Sequence, residues 1–162
     1  MSDMTENNNE QTVDLADVQG NVLRGYRKSN VRHLVCRVTS KANARKWVGE
    51  IVKDESKVAP RITVGADWGE HPPAVCFNVS FTYDGLLATG VSKDIADSFP
   101  IAFREGMAAR ADKIGDWDDA APEHWQEWFR DRTKVHLIVS LHANDSALID
   151  EFEENMMSGL AG

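Results

Sequence analysis

An α+β fold is predicted by three observations: four stretches with period-two apolar alternation, helical patterns between them, and their order along the chain. The strand-like stretches are Val31 to Thr39, Arg61 to Trp68, Val75 to Thr82 and Val135 to His142. Period two is the pattern of a strand with one buried face. Lys41 to Lys53 and the segment after Asn144 instead repeat every three or four residues, as amphipathic helices do. The order strand, helix, strand, strand, helices, strand matches a ferredoxin-like βαββαβ plan. That plan is one four-stranded antiparallel sheet with helices on one face.

The first 13 residues are polar and Asn-rich, and between Met1 and Asp17 there are five acids and no Lys or Arg. They read as a disordered acidic tail, leaving 14–162 as a single domain. In LADVQGNVLRGY (15–26), Leu15, Val18, Val22 and Leu23 share a helical face, but Gly20 and Gly25 interrupt it. Short helical turns are expected there. In the first strand Leu34, Cys36 and Val38 point one way and His33, Val35 and Arg37 the other. From Lys41, Ala42, Trp47, Val48, Ile51 and Val52 fall at helical spacing, which reads as an amphipathic helix. Ile62, Val64, Ala66 and Trp68 alternate in the second strand, and His71-Pro72-Pro73 is a rigid loop.

The third strand carries Val75, Phe77, Val79 and Phe81 on its apolar face and feeds a short helix. Asp84 is expected to cap that helix, and Gly90 to end it in a left-handed conformation. Phe103, Met107 and Ile114 predict a further helix ending at Gly115. Between Asp112 and Asp131 seven acids face two bases, among Trp117, Trp125 and Trp128. This reads as a surface loop pinned by aromatic anchors, or else as an acidic docking surface. The last strand is followed by a helix capped by Asn144. It has Leu148, Ile149, Phe152 and Met156 on one side, acids on the other, and Gly159 at its end.

At 162 residues the chain fits one domain with a real core. A net charge of −8 argues against nucleic acid as a partner. Cys36 and Cys76 lie in predicted strands without CxxC spacing, so they read as buried thiols and not as a disulfide or metal pair. The N-terminus lacks a basic flank and an apolar run, and no segment reads as a membrane span. The expected location is cytoplasmic.

Opposite the apolar face the sheet is mixed, with His33, Val35, Arg37, Asn78, Ser80, His136, Ile138, Ser140 and His142. Such a face is suited to meeting a partner. First and last strands pair antiparallel in this plan, which brings His33 beside His142. The pair is expected to form a polar contact with a second domain, or a metal or haem site. His33, His136, His142 and Arg37 are the candidate cofactor-binding residues. His71 and His124 sit in loops facing solvent.

Several passages, in order, resemble the dye-decolourising (DyP-type) haem peroxidases: LADVQGNVLRGY (15–26), FNVSFTYDGLLATGV (77–91), FREGMAARADKIGD (103–116), APEHW (121–125) and KVHLIVSLHAND (134–145). The resemblance implies two ferredoxin-like halves with facing sheets, haem in the second half, and H2O2-dependent peroxidase activity. It also implies a GxxDG motif carrying the distal aspartate, a distal arginine and a proximal histidine, all lying beyond the part this chain resembles. No GxxDG occurs in the sequence, so no catalytic residue carries over. The expectation is an N-terminal half that is inactive alone. It would pair through its open sheet face with a second half on another chain or a copy of itself, and bind no haem by itself. Two alternatives stand beside it. One is a stand-alone dimer binding haem or a small molecule between subunits, with His33, His136 or His142 and Arg37. The other is a non-redox protein-binding module using segment 112–131.

Overall fold

The computed structural model describes residues 13–53, 61–67 and 72–160, with side chains through Met157. Its elements are α1 (Gly20–Leu23), β1 (Asn30–Cys36), α2 (Lys41–Lys53), β2 (Val75–Phe81), α3 (Tyr83–Thr89), α4 (Lys93–Asp97), α5 (Ile101–Glu105), α6 (Ala111–Ile114), α7 (Glu127–Arg130), β3 (Leu137–Ala143) and α8 (Ser146–Leu160). The predicted tail, Trp68 and His71 lie outside the described residues, save Val13.

The three strands form one antiparallel sheet in the order β1-β3-β2, so the last strand of the chain is central. The register aligns Leu34 with Val139 and Phe77 with Leu141, which brings the apolar positions of all three strands to one face. Trp47 and Ile51 of α2, with Ile149, Phe152 and Met156 of α8, close that face over Phe77, Val79, Leu137, Val139 and Leu141. The expected helices therefore cover the expected face.

A fourth strand does not form among the described residues, which corrects the four-stranded expectation. The stretch from Arg61 contributes a single bridge, Gln19 to Val64, and then turns as a 3-10 helix at Gly65–Asp67. Asp67 explains the turn. Its carboxylate accepts the Val64 N–H at 2.8 Å and pairs with Arg61 at 2.5 Å, so the side chain takes bonds that a ladder would otherwise make. The outer edge of β2 is satisfied another way. Thr63 gives its N–H to the Phe77 carbonyl at 2.8 Å, and its hydroxyl accepts the Phe77 N–H at 2.9 Å. The Gln19 side-chain amide does the same at Val79, donating to the carbonyl and accepting from the N–H, both at 2.9 Å. A side chain thus stands in for a strand and blunts that edge. Gln19→Ala is expected to destabilise by about 1–3 kcal/mol, because it orphans two partly buried backbone groups. Urea unfolding measures it, and Gln19→Glu, which cannot donate, should do no better.

At the β2–α3 junction the N-cap is Thr82, whose Oγ1 accepts the Gly85 N–H at 3.0 Å. Asp84, expected in that role, instead binds Arg132 Nε at 2.5 Å. Gly90 ends α3 in the left-handed region, as expected. Similarly, the start of α8 is held by Asp145, which accepts the Ala147 N–H. Asn144 instead takes the Ser29 N–H ahead of β1. The single helix expected over Phe103–Ile114 is broken at Gly106, where φ is +75°. There α5 stops, and α6 starts only after a 3-10 turn at Ala108–Arg110.

Candidate functional site

The mixed face of the sheet is divided into a covered half and a bare half. Over β2 it is covered: Cys76 and Asn78 are buried, Asn78 to 1% exposure, beneath the segment that carries Tyr26. This corrects the placement of Asn78 on an open face. Its Nδ2 donates to the Thr63 carbonyl at 3.1 Å. Burial pushes the Tyr26 phenol up to about 12, although a hydrogen bond with Asn78 acts in the opposite direction. Over β1 the face is bare. Val31 is 50% and Val35 40% exposed, and His33 is exposed as well; on β2 only Ser80, near the strand's end, shares that exposure.

The four candidate residues fall into two places. His33 and His142 come together as expected: their ring centroids are 6.2 Å apart and nearly perpendicular, at 85°. Ser140, directly opposite His33 in the register, places its Oγ 2.9 Å from His33 Nδ1. His142 also meets the Tyr26 ring edge-on, with centroids 5.1 Å apart. Arg37 lies four residues beyond His33 along the chain, about 13 Å at strand rise. His136 precedes β3 at that same distant end. It is buried, and its ring Nδ1 accepts the Val38 N–H at 3.0 Å while its backbone N–H donates to the Cys36 carbonyl at 2.9 Å. His136 thus extends the β1–β3 pairing, and its ring is held by structure.

Burial, and next the neighbouring His33, lower the pKa of His142 from its ordinary 6.5. The unfolded chain therefore binds a proton there at higher pH than the folded chain does. The fold loses stability as pH falls through about 6.5 and levels off below the folded value. Chemical denaturation at stepped pH should show this slope, and His142→Gln should flatten it.

A second feature is a concavity of about 940 Å³ between the sheet end and the 100–135 excursion. Its apolar lining includes Phe81, Phe103, Met107, Phe129, Val135 and Ile138. Arg132 ties its wall together. The guanidinium donates to Asp84, to the Glu105 carbonyl at 3.1 Å and to the Arg104 carbonyl at 2.9 Å, and lies 5.5 Å from the Tyr83 ring centre. Nothing in the sequence singles out Arg132, which sits in a polar run without period and whose acceptors come from remote segments. Gln19 was missed for the same reason: its bond partners lie 60 residues away. In the acidic segment, Trp125 donates its indole N–H to the Ala120 carbonyl, as an anchor should. Trp117 and Trp128, however, are 62% and 55% exposed, against the expectation that all three tryptophans pin the loop. His124 faces solvent as expected.

Haem requires an axial ligand beside a space for the macrocycle. No histidine lines the large concavity, the His136 ring is engaged by backbone, and His33 and His142 lie against Ser140 and Tyr26. These residues do not fit a haem. Among the described residues no group of three or more His, Cys, Asp and Glu is arranged for a metal, and no helix is long and apolar enough to cross a membrane.

Known proteins resemble this chain over nearly all of its length. A dye-decolorizing peroxidase of Exidia glandulosa is 25% identical over 147 residues, covering 91% of this chain and 27% of the relative. One from Mycena epipterygia is 26% identical over 151 residues, covering 92% and 26%. The crystal structure of a decolorizing peroxidase from Auricularia auricula-judae superposes with a TM-score of 0.74 at 21% identity, over 91% of this chain and 31% of that one. The chain thus spans about a quarter of the length of the curated relatives it matches. The family model described as the DyP dimeric alpha+beta barrel domain matches residues 17–162, and the chain belongs to that family, as an N-terminal domain of the DyP peroxidase type.

Proposed function

We propose that this chain is the N-terminal domain of a DyP-type peroxidase-like protein that is inactive alone and works by pairing its bare sheet face with a second α+β half. That half lies either on another chain, which then carries the haem ligands, or on a copy of this one, which covers the face without supplying them. The observation that carries this reading is the asymmetry of the sheet. Its apolar face is closed by α2 and α8, whereas Val31 and Val35 on the other face stand about half exposed in one strand. Apolar side chains in a row on a sheet face mark a surface that another element covers. The large concavity opens beside the same face through Ile138, and Met107, Ile114 and Phe129 around it are also exposed. Both features suit a partner that spans them together.

The test is haem loading. The chain expressed alone, with added iron and haem precursor, is expected to show no Soret band and no H2O2-dependent dye turnover. A Soret band that disappears in His33→Ala or His142→Gln would overturn this reading in favour of a stand-alone dimer holding haem between subunits.

A further inference from the structure

His33 and His142 stand on neighbouring antiparallel strands, on the same face and diagonal to one another, since Val31 lies opposite His142 and Ser140 opposite His33. Two imidazoles so placed resemble half of a transition-metal site. A metal–nitrogen bond is about 2.0–2.1 Å, and the ring centre lies roughly 1.1 Å further out, so each centre sits about 3.2 Å from a shared ion. Two rings on one ion therefore span at most about 6.4 Å, and about 5.2 Å at a tetrahedral angle. The observed 6.2 Å falls inside that limit, and a contraction of about an ångström reaches the tetrahedral arrangement. His33, being exposed, is free to supply that movement.

The surroundings are suitable in three respects. Ser140 Oγ engages Nδ1 of His33 at 2.9 Å. That leaves Nε2 as the ligating nitrogen and orients the ring, as polar partners of metal-bound histidines do. The Tyr26 ring packs edge-on against the second imidazole, that of His142, with centroids 5.1 Å apart. Val31, opposite His142 in the register, is half exposed, so the ion's remaining positions open outward to water or to a ligand from a partner.

We propose that His33 and His142 form a two-imidazole site for a divalent transition-metal ion of the Cu2+, Ni2+ and Zn2+ class. Imidazole donors favour these ions, with Cu2+ bound most tightly, over the oxygen-seeking Mg2+ and Ca2+. This site stands apart from the haem chemistry of the family and does not depend on the proposed pairing.

The experiment is a Cu2+ titration of the tag-free full chain, followed by calorimetry and by electron paramagnetic resonance. One equivalent is expected to bind with hyperfine structure from imidazole nitrogens. Affinity should fall at least tenfold in His33→Ala and in His142→Gln and stay unchanged in His124→Ala. Mg2+ should not compete. Absence of Cu2+ binding, or an affinity unaltered by His33→Ala, overturns the proposal. The exposed His33 makes that variant decisive even if His142→Gln fails to fold.

Discussion

Gly85→Ala is expected to leave little folded protein. Gly85 is buried in the first turn of α3, where the helix backbone crosses the end of β3. A Cβ there would overlap the His136 carbonyl oxygen and lie 2.6 Å from the carbonyl carbon and 3.0 Å from Cα of the same residue. Neither side can yield cheaply. The His136 carbonyl already accepts the Thr82 N–H at 3.0 Å, and Thr82 Oγ1 donates to the Val135 carbonyl at 2.8 Å. Moving α3 away would break its N-cap and the β2–β3 join together. Overpacking of a core typically costs about 1–3 kcal/mol and more where backbone must shift, so a loss of at least about 3 kcal/mol is expected. Gly49→Ala is the control: it lies within α2, and a Cβ there meets nothing within 4 Å. It should stabilise by about 0.5–1 kcal/mol, since glycine is costly inside a helix. Guanidinium unfolding of the two variants side by side checks both directions.

Phe77→Ala is expected to cost about 3–5 kcal/mol, a large share of the 5–15 kcal/mol typical of a domain. Phe77 is fully buried in β2. Its ring meets Trp47 of α2 at 6.2 Å and Phe152 of α8 at 5.3 Å between centroids. It touches both covering helices, so truncation leaves a cavity with aromatic walls and little chance of collapse. Phe77→Leu should cost well under half as much. Thermal and urea unfolding of the pair measure the difference.

Much of the fold was legible because it rests on local period. Phe77 and Val79, Leu137 to Leu141, and Trp47 with Ile51 could be assigned to one core from alternation alone. The diagonal approach of His33 and His142 followed from pairing the first and last strands. What stayed hidden depends on side chains replacing backbone. The stretch after Arg61 alternates like a strand, but Asp67 takes the Val64 N–H and the chain turns. Asn78 looks open by parity, yet the Tyr26 segment lies across it. Asp84 and Asn144 have the chemistry of caps, but Arg132 and Ser29 engage them first. The partition of the mixed face into a covered and a bare half arises from these long-range contacts, which have no sequence period to announce them.

Footprinting tests the central claim most directly. Hydroxyl-radical labelling should be compared between the recombinant chain alone and the protein drawn gently from its own cells with its partners bound. Val31, His33 and Val35 are expected to label readily in the isolated chain and to be strongly protected in the native assembly. Equal labelling of these residues in both samples, with protection falling instead on segment 112–131, would contradict pairing through the sheet and favour the acidic, Trp-rich surface as the binding element.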